Sequence, residues 1–510
     1  MEGNQGKMKI NPDFQQYQRL AKISPVVPVW TEMIADMRTP VATFYQLSAA
    51  QKKKKQLSFL LESVSGGEHW ARYSFLGLGA EKIFVVAGNH YDFVRPPDYF
   101  CRKFNWQSFG PGETPLTVLR QFFSRYLTPI NLALPRFWGG LVGYFGYDLI
   151  RFLEKLPNQL PDSLKLPDAL FILNKELIIF DHLSQKMKLI VLTFPEKEIK
   201  NCWEMAQKRL SELVAIISQP VWPENVSPVK PAFPEKIYSN TTPAQFNQMI
   251  KKVKKYIRAG DIIQAVVSQR FFTRTAAEGF SIYRALRLIN PSPYMYYLNF
   301  GDWEMIGSSP EILVRREDNL VETKPIAGTR PRGRDEKEDR LLEVELKSDP
   351  KERAEHIMLV DLGRNDIGRI AAGGRVRVPQ LMAVERYSHV MHLVSTVVGY
   401  LDKRYDSFDV LAACFPAGTV SGAPKIRAME IIDEVEKEKR GPYAGAIGYF
   451  SFSGNMDMAI TIRTIIKKGR QVYAQAGAGI VADSQPEKEY QETRNKAAGL
   501  FAAIQQAERL

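Results

Sequence analysis

Apolar and polar positions change places in short registers along most of this chain, and long unbroken apolar blocks are missing. A helical pattern at FQQYQRLAK gives way to SPVVPVW, where prolines end the helix and favour an extended chain. Four runs rich in β-branched and aromatic residues then read as strands: VATFYQL, SFLLESV, RYSFLGLG and KIFVVAG. RFWGGLVGYFGYDLIRFLE mixes glycines with aromatics, as in a strand that bends or lets another backbone approach. LFILNKELIIFDH and KMKLIVLTF read as a strand pair, and residues 196–217 as a helix.

TPAQFNQMIKKVKKYIRAG has the apolar spacing of an amphipathic helix that stops at Ala259 and Gly260. AITIRTIIKKGRQVYAQAGAGIVAD reads as a hairpin. The chain closes on a long helix, PEKEYQETRNKAAGLFAAIQQAERL, with Pro486 in its first turn. Residues 218–242 hold five prolines and read as a linker, which divides the chain into regions 25–217 and 243–510. Short turns between neighbouring strands predict an α/β protein of the α+β type: a large, mostly antiparallel β-sheet sandwich flanked by helices.

Composition narrows the function classes. The chain is 45% hydrophobic and 25% charged, the balance of a soluble globular protein. Its net charge of +13 is spread among interleaved acids. The one dense basic run, Lys52–Lys55, reads as a solvated loop, and no arginine-rich tail or zinc-knuckle spacing points to nucleic acid. No apolar run reaches the length of a membrane span, and the N-terminus lacks the apolar core of a secretory signal. Cys101, Cys202 and Cys414 are too scattered for a disulfide framework or a structural zinc site, so a cytoplasmic protein is expected.

Candidate chemistry lies in the second half. Glu492 and Lys496 stand four apart in EKEYQETRNKA and share a helix face. Taken alone, that spacing favours a surface ion pair. It also suits a carboxylate holding a hard cation beside a lysine that holds a substrate carboxylate. ERAEHIMLVDLGRNDIG carries another acidic helix position. His389 and His392 are three apart without an HExxH partner, so a single neutral histidine is the chemical option and an uninvolved, half-buried one the structural option. FPAGTVSGAPK and QAGAGIVAD are small-residue loops able to present backbone N–H groups to an anion, without the P-loop pattern. In MDMAITIRT, Asp457, Ala459, Thr461 and Arg463 are expected on one strand face, where the arginine is either able to pair with a carboxylate or an edge charge. Together these features describe a site for a small, multiply anionic molecule with a hard metal.

The segments DIIQAVVSQRF, NPSPYMYYL, GSSPEILVR, KPIAGTRPRG, AEHIMLVDLGRNDIG, VMHLVS, FPAGTVSGAPK, RGPYAGAIGYF, ITIRT, QAGAGIV and YQETRNKA, in that order, resemble the chorismate-utilising enzyme family. Within it the resemblance is nearest to the anthranilate synthase branch, in its large, aminating component. That branch carries a tryptophan-binding LLES motif, here Leu60–Ser63, so the resemblance spans roughly residues 40–505. Aminodeoxychorismate synthases carry a nucleophilic lysine before the Gly-Thr pair; this chain has Ala327. Isochorismate and salicylate synthases carry a lysine base where this chain has Gln264, and an amide cannot deprotonate water at neutral pH. Both residues favour ammonia as the nucleophile.

The resemblance implies that Mg²⁺-dependent reaction of chorismate with ammonia gives anthranilate and pyruvate, the first committed step of tryptophan biosynthesis. It implies Glu355 and Glu492 as metal ligands and Glu311 as the general acid for the departing C4 hydroxyl. His392 and Thr419 match residues that orient the elimination of pyruvate. Gly328, Thr329, Tyr443, Arg463, Gly477, Ala478, Gly479 and Lys496 match substrate-binding positions. Glu62, Ser63, Pro293, Tyr294 and Met295 match a tryptophan feedback pocket, with an acidic side chain to receive the ammonium; Arg72 matches a basic position near it. The chain holds no glutamine-hydrolysing motif, so a separate glutamine amidotransferase subunit is the expected ammonia source. Isochorismate or salicylate synthase, aminodeoxychorismate synthase, and a non-catalytic regulator that binds chorismate or tryptophan are the alternatives.

Overall fold

The computed structural model describes residues 8–50, 57–64, 72–128, 132–157, 160–195, 198–220, 237–386 and 390–509. The Lys52–Lys55 run, His389 and residues 221–236 of the proline-rich segment lie outside them.

Every strand pairing among the described residues is antiparallel, and 22 strands join one network. Its trunk is the pair Tyr73–Ala87 and Ala169–Asp181. One arm leaves through Ser58–Glu62 to Tyr294–Asn299, Trp303–Ser309, Thr464–Lys468, Gln471–Ile480 and Gln264–Arg274. The other leaves through Gly140–Phe145 to Ala446–Ser451, Met456–Ile460, Ile312–Glu317, Leu320–Thr323 and Val390–Leu401. Strands from residues 25–217 and 243–510 therefore pair directly in both arms. The largest apolar cluster packs Phe59, Phe75, Leu141, Phe145, Phe171 and Phe450 together. A second, holding Phe44, Leu60, Leu76, Leu210, Ile282 and Leu500, seals the sheet under the helices Pro40–Ala50, Ile199–Ile217, Gly279–Ile289 and Pro486–Ala507. This is the expected sheet-and-helix architecture.

Local signals held where the apolar period was long. The amphipathic segment is the helix Pro243–Arg258, opened by a Thr242–Gln245 capping box and ended at Ala259. The strand pair at Ala169–Asp181 and Lys186–Thr193 also formed. VATFYQL did not become a strand: it lies in the helix Pro40–Ala50. Its buried residues Thr43, Phe44 and Leu47 have helical spacing, and Phe44 packs against Phe280 and Tyr297, contacts that outweigh β propensity. RYSFLGLG and KIFVVAG form one long strand with an irregularity between Ala80 and Lys82.

One close approach sets the first arm. A Cβ on Gly77 would lie 1.9 Å from the Phe59 ring, so the ring is seated on bare backbone. Gly77→Val is expected to destabilise the protein by about 3 kcal/mol, at the upper end of overpacking costs. Chemical denaturation should show this as a lower midpoint; a wild-type midpoint would refute the packing account.

Candidate active site

A cavity of about 360 Å³ opens where the ends of the two arms meet. Glu311 enters it from the turn between Trp303–Ser309 and Ile312–Glu317, its carbonyl accepting from the Ile460 N–H at 3.0 Å. The Thr419 hydroxyl donates to its carboxylate at 2.9 Å. Burial pushes the Glu311 carboxyl up to about 7, against the opposing pull of the Thr419 hydrogen bond and the Lys496 charge.

Glu355, on the helix Pro350–Gly368, and Glu492, on Pro486–Ala507, line the same cavity. Burial raises the Glu355 pKa, and the charges of Glu352 and Glu492 raise it further; a hydrogen bond with the Gln264 side chain and the charge of Lys351 oppose this. The other amide atom of Gln264, Oε1, is buried without a hydrogen-bond partner among the described residues. Lys496 Nζ pairs with Glu492 at 2.7 Å and donates to the Gly477 carbonyl at 3.0 Å. The ion pair read from spacing is thus real, and it faces the cavity.

Arg463 reaches the cavity by a route the alternating pattern did not show. The strand Met456–Ile460 ends first, the Ile462 N–H turns back to the Ile460 carbonyl, and Arg463 has φ +50°. It therefore does not share a strand face with Asp457, which lines a different cavity. Arg463 Nη1 donates to the Lys496 carbonyl at 2.6 Å, and burial lowers its pKa. Tyr443 lines the same cavity, its hydroxyl pushed up to about 12 by burial.

Gly477 and Gly479 leave room for these polar groups. A Cβ at 477 would lie 2.8 Å from the Tyr443 hydroxyl, and one at 479 would lie 2.6 Å from Gln264 Nε2. Ala478, between them, points into the apolar cluster of Phe246 and Ile250, so its side chain does not line the cavity. Gly328, Thr329 and His392 stand beside the Ala327 wall and are not part of the lining. His392 Nδ1 lies 3.0 Å from the Thr329 hydroxyl and 3.2 Å from the Gly328 carbonyl. A proton on Nδ1 satisfies that carbonyl and makes Nε2 the basic nitrogen. Burial lowers the His392 pKa, which favours the neutral ring.

The cavity also holds Lys351, Gln475 and Glu489, which were not singled out from the sequence. Helical and strand periods contained the signal: Lys351 is four before Glu355, Glu489 three before Glu492, and Gln475 alternates with Gly477 and Gly479.

A second, smaller cavity of about 60 Å³ lies between the arms and is lined by all five positions matched to the feedback pocket: Glu62, Ser63, Pro293, Tyr294 and Met295. The Ser63 hydroxyl is buried there without a partner among the described residues. Glu62 differs from expectation. Its carboxylate is held by the Tyr283 hydroxyl and by Arg287 at 3.1 Å, so it is already committed and does not stand ready for an ammonium. The carboxylate on the cavity wall is Asp457, bonded to Arg315 at 2.8 Å, to the Tyr294 hydroxyl at 2.9 Å and to Arg136 at 3.4 Å. Arg72 pairs with Asp181 at 3.1 Å and is not in the lining.

The chain is similar to known proteins over most of its length. A family profile described as chorismate binding enzyme matches residues 99–502. The chain is 47% identical to anthranilate synthase component 1 of Aquifex aeolicus (strain VF5), over 98% of this chain and 99% of that protein. It is 46% identical to the protein of the same name from Pseudomonas putida, over 97% and 98%. Among solved structures, anthranilate synthase component I of Streptococcus pneumoniae TIGR4 superposes with a TM-score of 0.75 at 37% identity, covering 92% of this chain and 98% of that one. The menaquinone-specific isochorismate synthase of Escherichia coli shares the fold, with a TM-score of 0.70 at 20% identity over 96% and 98%.

Proposed function

Because the chain belongs to the chorismate binding enzyme family, we propose that it is an enzyme converting chorismate to anthranilate, with ammonia as the nucleophile, Mg²⁺ as the cofactor and tryptophan as a feedback inhibitor. The observation that carries this reading is the meeting of Glu311, Glu355, Arg463, Glu492 and Lys496 in one cavity whose wall has Gln264 and Ala327. Ala327 cannot form a covalent intermediate, and Gln264 cannot act as a base toward water. Ammonia attacks without prior deprotonation.

The residues fit a hard divalent ion. Glu355 and Glu492 line one cavity, where burial and then the charges of Glu352 and Glu492 raise the Glu355 pKa, a cost of negative charge that a cation relieves, and Mg²⁺ takes one or two protein carboxylates with the rest of its shell from water and substrate. Bound there, it supplies charge stabilisation at the ring carboxylate of chorismate. Arg463 and Lys496 supply the further positive charge that a dicarboxylate needs. Glu311, protonated near neutral pH, gives its proton to the departing C4 hydroxyl as ammonia adds at C2, and water leaves. His392 and Thr419 orient the second step, in which loss of the C2 proton and cleavage of the C3–O bond release pyruvate and leave the aromatic amine.

The feedback reading rests on a shared strand. Ile312–Glu317 carries Arg315 on the small cavity and begins beside Glu311. A cavity of about 60 Å³ must widen to admit an indole side chain, and moving this strand displaces Glu311. Ser63→Phe fills the small cavity, so the tryptophan concentration for half inhibition should rise at least about tenfold; an unchanged value would remove the pocket assignment.

Relatives named as a component 1 support a partner chain, which we take to be a glutamine amidotransferase supplying ammonia. Region 25–217 then carries the LLES part of the inhibitor pocket and region 243–510 the catalytic cavity, with residues 218–242 joining them. Three scattered cysteines suit a cytoplasmic enzyme; among the described residues no helix is long and apolar enough to cross a membrane. Turnover with ¹⁵N-ammonium tests the nucleophile: label in anthranilate is expected, whereas isochorismate or salicylate as product would show that water wins.

A further inference from the structure

Behind the catalytic cavity lies an ion pair with almost no solvent contact: the side chains of Arg440 and Glu436 are 2% and 3% exposed. Arg440 Nε and Nη2 donate to the two Glu436 oxygens at 2.9 and 2.6 Å. Its remaining bonds go to backbone on two different walls of the site. Nη1 donates to the Val420 carbonyl at 2.7 Å and Nη2 to the Val266 carbonyl at 2.6 Å. Four of the N–H directions of one planar group are thereby used. The flat faces are used too, against Tyr147 at 4.6 Å and Tyr443 at 5.7 Å. Glu436 extends the web: its Oε1 accepts from the Ser268 N–H and hydroxyl, both at 2.8 Å, and that hydroxyl accepts from Gln475 Nε2 at 2.8 Å.

Each end of this web is next to a residue with work to do. Val420 follows Thr419, which bonds Glu311; Val266 is two residues from Gln264; Tyr443 and Gln475 line the cavity. A buried ion pair is weak support for stability, because apolar replacements of similar volume often serve as well. Its geometry here is better explained by what it joins. We propose that Arg440, locked by Glu436, is a positioning residue that holds the Thr419 turn, the Gln264 strand and Tyr443 in the mutual register that catalysis requires. This inference rests on the proposed reaction for its assay. Failure of the wild-type enzyme to turn over would sink that reading, whereas the comparison between variants sinks or supports only this one.

The full-length enzyme is assayed as wild type, as Arg440→Lys and as the doubly neutral Arg440→Met/Glu436→Gln. Lysine keeps the charge but cannot span two carbonyls and a carboxylate in one plane. The double variant leaves no buried charge unpaired, so it keeps the protein folded where Arg440→Met alone would not. Both are expected to lower kcat by at least about 100-fold while KM for chorismate changes less than about threefold, the pattern of misplacement in the transition state. A second readout separates positioning from mere structure. If Thr419 shifts, Glu311 loses a hydrogen bond that favours its ionised form, so the fall of kcat with rising pH should move to higher pH than in the wild type. Folded variants with kcat within threefold of wild type would overturn the proposal. So would a large loss of kcat with the pH profile unmoved, which would assign the pair a structural role only.

Discussion

Glu492→Gln is expected to abolish Mg²⁺-dependent turnover, lowering kcat/KM by on the order of 10³-fold, since the divalent ion that Glu492 is proposed to hold would supply several kcal/mol of charge stabilisation. The change keeps the side chain's size and removes its charge from a helix face that also carries Lys496. Because Glu492 is not in the lining of the Ser63 cavity, the folded state and tryptophan binding should survive. Two measurements decide the result: the Mg²⁺ dependence of the initial rate and tryptophan binding by calorimetry. Turnover at ordinary Mg²⁺ levels in this variant would show that the metal role is misassigned.

The second large effect is on Glu311. Glu311→Gln keeps the hydrogen bond with Thr419 available but has no proton to give, so kcat should fall between about 10²- and 10⁴-fold, the range for a lost general acid. The wild-type pH profile carries the sign of the argument. In the proposed reaction Glu311 acts in its protonated form, and its carboxyl is pushed up to about 7 by burial. At constant free ammonia, kcat should therefore decline as pH rises through that value and level off below it. The variant's residual rate should lack that limb. A decline of the same shape in Glu311→Gln would place the titrating acid elsewhere.

How much of this was readable beforehand depends on how far apart in sequence the cooperating residues lie. Helices with sustained apolar spacing, such as Pro243–Arg258 and Pro486–Ala507, declare themselves because their period is local. The Glu492–Lys496 face did too, though spacing alone could not say that it points inward. The helix at Pro40–Ala50 misled because its strand-like residues are held by Phe280 and Tyr297, more than 200 positions away in the chain. Arg463 was placed on the wrong face because a turn at Ile462, stabilised by backbone bonding, breaks the two-residue alternation. Glu62 was expected to meet a ligand, and only the fold shows that Tyr283 and Arg287 already satisfy it. The Asp457–Arg315–Arg136 cluster was invisible for the same reason: its members come from three strands or loops that no local period connects. Most motifs quoted from the second half, by contrast, meet around one cavity, with His392 and Thr329 beside its Ala327 wall, while NPSPYMYYL lines the smaller one.

The central claim, an ammonia-using and tryptophan-regulated anthranilate-forming enzyme, is met most directly by one assay. The purified chain alone is incubated with chorismate, Mg²⁺ and an ammonium salt, and the fluorescence of the ortho-amino aromatic acid is followed with and without tryptophan. Fluorescence that requires both Mg²⁺ and ammonium and is suppressed by tryptophan is the expected result. Chorismate that binds without forming the amine, or that is converted only to a hydroxylated product, would contradict it.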